Sequence, residues 1–268
     1  MQSIATQEKK WLCDEKYHGK KTPQYFKECI LIDQGMPVAY LIGNIEFLNC
    51  VIDLEYRPLI PRPETEFWTD IFIKQNKQNK HLKILDLFSG SGCIGIAAGK
   101  HLVSEIDFGD IDQKNISQIK KNITLNIPTT KTNVFATNVF SHIPLGKYDY
   151  ILANPPYIDN NKIAQVQNSV LDNEDHHALF ADDMGLKYVY ALIDHGHEYL
   201  NNNGEIWIEF DSWQTDLIDN YLEKNTIWNY SYLKDQYDKN RVLILVRRNK
   251  LPRPKGTGYF RYSILCWE

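Results

Sequence analysis

Ile151-Leu-Ala-Asn-Pro-Pro-Tyr-Ile158 is the stretch from which the fold of this chain is read. The apolar run from Tyr148 to Ala153 predicts a buried strand, and it stops at two prolines that cannot donate to a sheet ladder. In an open α/β sheet a ligand sits just beyond the carboxyl ends of the strands, which is where Asn154 and Tyr157 stand. An asparagine presents one carbonyl acceptor and two amide protons. Held by Pro155 and Pro156, Asn154 and a neighbouring backbone carbonyl can accept both protons of a planar NH2 group and aim its nitrogen at an electrophile. The plain alternative is a surface loop in which prolines end a strand and asparagine caps it.

Upstream the pattern of a parallel sheet is repeated. Lys83 to Phe88 reads as a strand, Ser89-Gly-Ser-Gly92 as a turn and Cys93 to His101 as a helix. A second strand at Ile106 to Gly109 ends at Asp110, a helix covers Gln113 to Thr124, and a third strand lies near Thr132 to Thr137. Glycines in the turn let a cofactor approach the backbone, and the helix start behind it favours an anionic group. A dinucleotide G-x-G-x-x-G is not met, because Phe88 stands in the first glycine's place. Asp110 is placed to bond a ribose diol, with Asp112 as its rival and helix capping as the bland reading. Asn138 can offer its amide to an adenine edge or simply serve a turn.

Downstream, residues 158 to 183 are polar and read as a loop over the site. A helix is expected from Gly185 to Leu200, a turn at Asn-Asn-Asn-Gly204, a strand at Glu205 to Phe210 and a helix at Trp213 to Lys224. Ile227 to Leu233 and Arg241 to Arg247 close the sheet as an antiparallel pair, because only a short connection joins them. At the other end, residues 1–34 predict a short helical region. Residues 35–66 hold Val38 to Gly43 (a short helix or strand), a hairpin turning near Asn49, and a proline-rich connector. Glu64 or Thr65 is placed to start the next helix, and Gln75 to His81 reads as a polar joint. Residues 67–249 form the large α/β domain, and 250–268 remain an unassigned tail.

With 268 residues, 43% of them hydrophobic, the chain can bury a full core. Its net charge of -4 provides no global basic footprint for nucleic acid. Five scattered cysteines lack metal or disulfide spacing and suit a reducing, cytoplasmic setting. His176-His177 and His195-x-His197 lack zinc-motif spacing. No apolar run is long enough to span a bilayer, so no membrane partner is expected. The abundance of Asn, Lys and Ile reads as compositional bias.

Taken together, the acid at a strand end, glycine turn, second acid and Asn-Pro-Pro-Tyr resemble the class I S-adenosylmethionine-dependent methyltransferases over residues 82 to 248. Asn-Pro-Pro-Tyr marks the branch that methylates amino or amide nitrogens. Pro37-Val-Ala-Tyr-Leu-Ile-Gly43, Glu46-Phe47 and Leu59-Ile-Pro-Arg-Pro-Glu-Thr-Glu66 look like the release factor glutamine N5-methyltransferases, the PrmC/HemK family. Ala178-Leu179, Asp183-Met-Gly-Leu186, Glu209 with Gln214, and Lys234-Asp235 with Arg241-Val242 follow the same pattern. The chain departs from it in the turn, where Phe88 replaces a small residue, in a shortened helical N-terminus, and at Asn138, where an aspartate is common.

The resemblance implies a Rossmann-like, mostly parallel seven-stranded sheet with an antiparallel last strand. It implies S-adenosyl-L-methionine as methyl donor, S-adenosyl-L-homocysteine as product, and no metal. Asp86, Phe88, Ser89, Gly90, Ser91, Gly92, Asp110, Ile111, Asn138, Val139 and Asn154 would hold the cofactor. Asn154, Pro155, Pro156 and Tyr157 would form the catalytic motif, and Arg62, Pro63, Glu64 and Thr65 would wall the substrate pocket with Asn154 and Tyr157. The implied partner is a class I peptide chain release factor, methylated on the glutamine of Gly-Gly-Gln by a monomeric enzyme. Rival readings are a nucleic-acid amino methyltransferase, a ribosomal-protein glutamine methyltransferase, and a non-catalytic binding module on the same fold.

Overall fold

The computed structural model describes residues 4–145, 148–165 and 168–248; the tail beyond them, and any assignment for it, lies outside the described residues. Helix α1 (Ile4–Trp11) runs into a π turn at Leu12–Lys16, and α2 (Pro23–Asp33) follows. Pro23 suits the first helical turn, where no donor is needed, and the Thr22 hydroxyl caps the helix by accepting from the Tyr25 amide at 3.2 Å. With α3 (Val38–Ile42), these helices enclose a small separate core of Leu12, Cys13, Tyr25, Ile32 and Val38. The segment read as helix or strand is therefore helix, ended by Gly43 at φ 93°.

Strands β1 (Asn44–Phe47) and β2 (Cys50–Asp53) form the expected hairpin. Its two turn residues, Leu48 and Asn49, have φ of 47° and 62°, the left-handed pair required by a type I′ connection. Helix α4 (Pro63–Asn76) begins at Pro63, earlier than expected, because a first-turn proline is already set for helix and Arg62 takes the N-cap position. It also runs through the start of the presumed polar joint.

The central sheet contains β3 (Lys80–Leu87), β4 (Val103–Asp110), β5 (Thr132–Ala136), β6 (Tyr148–Ala153), β9 (Leu200–Glu209), β10 (Trp228–Lys234) and β11 (Asn240–Arg247). Their order is β10-β11-β9-β6-β3-β4-β5. The pairs from β9 across to β5 are parallel, whereas β11 runs antiparallel to both of its neighbours. This is the expected mostly parallel seven-stranded sheet, with the last strand inserted in reverse. Helices α5 (Cys93–His101), α6 (Gln113–Asn126), α8 (Lys187–His195) and α9 (Thr215–Leu222) accompany it. One core joins hairpin, α4, α5 and the sheet through Phe47, Ile52, Trp68, Phe72, Ile84 and Ile96, while Leu85, Ile151, Val189, Ile193, Ile206 and Ile218 belong to a second.

Several boundaries differ from the reading of the sequence. Asn201 to Gly204 is not a turn but part of β9, with a register irregularity opposite Tyr148 and Tyr150. Gly204 is required by close packing there, since a Cβ would lie 2.9 Å from the Tyr148 carbonyl oxygen. The helix expected from Gly185 to Leu200 is shorter because a 3-10 turn, Gly196–Glu198, takes its last residues. Residues 158–183 hold more than a loop: β7 (Ile158–Asp159) pairs in parallel with β8 (Phe180–Ala181) around α7 (Asn168–Asn173).

The asparagines on α6 also have work to do. Asn126 accepts from the Val51 amide at 3.0 Å and donates to the Val51 carbonyl at 2.9 Å; Asn122 does the same for Asp53 at 2.9 and 3.1 Å. One turn earlier, Gln118 accepts from the Tyr56 amide at 2.8 Å. Spaced by four, these carboxamides line one helix face: Asn122 and Asn126 satisfy β2's outer edge as a neighbouring strand would, and Gln118 holds the turn just past it. No helix among the described residues is long and apolar enough to cross a membrane.

Candidate active site

Because β3, β4, β5 and β6 are parallel, their carboxyl ends meet at one edge of the sheet. From β3 the sheet continues one way to β4 and β5 and the other way to β6 and β9, so the crevice opens at the reversal of strand order. A cleft of about 940 Å³, part of it open to solvent, lies there. Its wall takes in the turn after β3, Asp110, Asn138 and Val139, Asn154 and Pro156, the connector from Leu59 to Arg62, Thr65, and Tyr188.

The turn is built by positive φ values at Phe88 (60°), Gly90 (56°) and Gly92 (81°). The two glycines adopt these values freely, but Phe88 pays a steric penalty of about 1–2 kcal/mol for them. Its ring meets Tyr188 edge-on at 5.2 Å. Ser89 ties the turn down, its hydroxyl lying 2.7 Å from the Asp86 carbonyl and 3.1 Å from both the Gly109 carbonyl and amide. Val139 (φ 51°), a β-branched residue, is strained in the same way across the cleft.

Asp110 ends β4 with its carboxylate in the cleft wall. It accepts from the Gly90 amide at 2.8 Å, the Asp112 amide at 2.9 Å and the Asn115 side chain at 3.1 Å. Burial raises its pKa, and these donors oppose the rise. Asp112 also borders the cleft but accepts from the Lys114 amide at 2.8 Å as the cap of α6. Capping therefore falls to Asp112, and Asp110 keeps its carboxylate in the cleft wall. Asp86 lies behind the turn rather than in the cleft wall: one carboxylate oxygen accepts from the Gly95 amide at 2.9 Å, and the other is buried without a hydrogen-bond partner. Burial pushes its pKa well up.

On the other side stands a buried polar cluster centred on Glu209, at the end of β9. One oxygen accepts from the Thr65 hydroxyl and from the Trp68 indole, both at 2.7 Å; the other accepts from the Tyr157 hydroxyl at 3.2 Å. Thr65 in turn accepts from Asn154 Nδ2 at 3.2 Å. Burial raises the pKa of Glu209 against these hydrogen bonds and the Arg241 charge. Burial, then Glu209, holds the Tyr157 phenol well above its usual range. Gln214 donates to the Tyr157 carbonyl at 3.0 Å, fixing the backbone just past the prolines.

Of the residues singled out in the sequence, Phe88, Ser89, Gly90, Ser91, Asp110, Ile111, Asn138, Val139, Asn154, Pro156, Arg62 and Thr65 share this cleft. Asp86, Gly92, Pro155, Tyr157, Pro63 and Glu64 do not line it; Pro63 and Glu64 open α4 instead. Arg62 is engaged by Glu174, its Nη2 donating to both carboxylate oxygens at 2.7 and 2.6 Å. Glu209, Trp68, Glu174 and Tyr188 were missed as members of the site. Glu209 carried a signal, being an acid at the end of an apolar strand beside the one that ends at Asn154. The apolar walls of Leu59, Ile60, Ile111 and Val139, the Asp110 carboxylate and the glycine turn fit an adenosyl cofactor.

The sequence model of the methyltransferase small domain matches residues 64–177. The release factor glutamine methyltransferase of Flavobacterium psychrophilum is 32% identical over 220 residues, 79% of this chain and 76% of that protein. That of Borreliella burgdorferi is 30% identical over 234 residues, 86% of this chain and 80% of its own. Among solved structures, the catalytic domain of hMettl16 in complex with a MAT2A 3′UTR hairpin superposes with a TM-score of 0.57 at 16% identity, covering 77% of this chain and 79% of that one. A methyltransferase from Pyrococcus furiosus gives 0.51 at 13% identity, covering 70% and 87%. These structural likenesses speak for the fold, and the sequence relatives for the family: the chain belongs to the release factor glutamine methyltransferases.

Proposed function

We propose that this protein methylates the side-chain amide nitrogen of a protein glutamine, the Gly-Gly-Gln glutamine of a class I peptide chain release factor. S-Adenosyl-L-methionine supplies a methyl group on a sulfonium and leaves as S-adenosyl-L-homocysteine. The observation that carries this reading is the shared cleft: Asn154 at the end of β6 faces the same space as Asp110 and the Phe88–Gly90 turn. In this reading Asp110 takes the ribose diol, and Leu59, Ile60, Ile111 and Val139 pack around the base.

An amide nitrogen is a weak nucleophile because its lone pair is delocalised, so position and polarity matter more than a strong base. Asn154 Oδ1 and the Pro155 carbonyl accept the two amide protons and draw density onto nitrogen. Pro155 and Pro156 hold those acceptors rigidly. The donor's sulfonium would supply the methyl for a new C–N bond as its own C–S bond broke, and the proton on the alkylated nitrogen, then strongly acidic, would pass to solvent. Glu209 holds the Tyr157 hydroxyl, which orients the ring beside the motif.

The test is transfer of labelled methyl from S-adenosyl-L-methionine to an unmodified class I release factor, with the product mapped by mass spectrometry. Label on Gly-Gly-Gln is expected, and Asn154→Ala should reduce turnover by roughly 10²-fold or more while cofactor affinity, read by calorimetry, changes little. Label on nucleic acid or on a ribosomal protein, with none on the release factor, overturns the substrate assignment.

A further inference from the structure

We infer that Thr65 and Glu209 are positioning residues that set which face of the Asn154 carboxamide meets the substrate. The inference rests on the amide-transfer reading above and adds to it a chain of hydrogen bonds outside the Asn-Pro-Pro-Tyr motif. A carboxylate only accepts, so the single proton of the Thr65 hydroxyl is committed to Glu209 Oε2 at 2.7 Å. The Thr65 oxygen is thereby left as an acceptor. It faces Asn154 at 3.2 Å, and only the amide nitrogen of Asn154 can satisfy it. With Nδ2 turned to Thr65, the planar carboxamide leaves Oδ1 for the cleft, the orientation in which it accepts a substrate N–H.

Without this chain the two orientations of an asparagine are nearly alike in shape, and the wrong one presents a donor to a donor. Glu209 serves the motif at both ends, reaching Asn154 through Thr65 and Tyr157 directly at 3.2 Å. The Trp68 indole, also on Glu209 Oε2, supplies a third donor. A neutral glutamine at position 209 has one acceptor oxygen and an NH2 group, and cannot receive all three donors on both atoms. Helix α4 supplies Thr65 and Trp68, so the proline-rich connector that starts that helix aligns the residue just past β6.

The experiment compares Thr65→Val, which keeps shape but removes the hydroxyl, with Thr65→Ser, which keeps the hydroxyl. In Thr65→Val, kcat for release-factor methylation should fall about ten- to hundredfold, with KM and calorimetric cofactor affinity within about twofold. Thr65→Ser should restore kcat to within a few-fold of the parent. Adding Thr65→Val to Asn154→Ala should cost nothing further, because the hydroxyl acts through that amide. Independently of activity, side-chain amide proton exchange of Asn154, followed by NMR, should accelerate in Thr65→Val and not in Thr65→Ser. Unchanged exchange and kcat in Thr65→Val, or losses that multiply in the double variant, would overturn the relay. Absence of methyl transfer by the unsubstituted protein would instead sink the amide-transfer reading, leaving the exchange measurement to decide the relay alone.

Discussion

Phe88 shows how one residue can be read correctly in place and still surprise in conformation. The sequence put it in the first position of a cofactor turn, where a small residue is usual. Its φ of 60° is the value a glycine would adopt there, so the aromatic ring is retained against backbone strain. The ring's contact with Tyr188 at 5.2 Å offsets part of that strain, such contacts contributing about 0.5–1.5 kcal/mol. Phe88→Gly and Phe88→Ala lose the same contact, but only alanine still pays for the left-handed backbone. The glycine variant should therefore be more stable by about 1 kcal/mol in urea denaturation. Equal midpoints would mean that the backbone at position 88 is not held left-handed.

At the scale of elements, charge ties the end of α7, within the region 158–183, to the connector beside the cleft. Polar composition alone predicted a loop, and it hid two short strands whose pairing partners are about twenty residues apart. The Glu174 side chain is 1% exposed and lies against Arg62, while Asp175 and Ala178 border the cleft. Burial raises the Glu174 pKa, and Arg62 opposes that rise. Glu174→Ala would leave the guanidinium without this carboxylate and remove the link between α7 and the connector. Amide exchange across 168–181 should accelerate about tenfold or more, with protection of β3, β4 and β6 unchanged. A uniform loss of protection would instead assign the ion pair to global stability.

Considered as a whole molecule, the protein gathers α4, the end of β6 and the end of β9 around one buried carboxylate. Glu209 faces Thr65, Trp68 and Tyr157, with the Arg241 charge nearby. Because burial holds its pKa above the ordinary glutamate value, the folded state keeps this proton more tightly than the unfolded chain. Between the two pKa values, stability attributable to this group falls as pH rises. Activity should run the opposite way, since only the ionised carboxylate orders the Thr65 hydroxyl. A profile of kcat against pH should show an acid limb above the ordinary glutamate range, and Glu209→Gln should be slow and flat through that window. The same limb in both proteins would assign it to another of the buried acids, such as Asp110 or Glu174.

The order of strands and helices, the hairpin turn at Asn49 and the acid and asparagine at strand ends were legible in the sequence. Each depends on local chemistry: apolar runs make strands, prolines end them, and parallel connections send their carboxyl ends to one edge. The abundant asparagines looked like bias because a carboxamide's partner is invisible until a second element is placed beside it. Asn122 and Asn126 become an edge strand's substitute only once α6 lies along β2. Asn201 to Gly204 read as a turn by composition, yet the pairing of Leu200 and Glu205 with β6 on either side brackets them within β9. Likewise, nothing local to Glu209 or Thr65 predicts their 2.7 Å contact across 144 positions. Local preference determined what each segment is, and long-range packing decided which of its polar atoms were left to face the cleft.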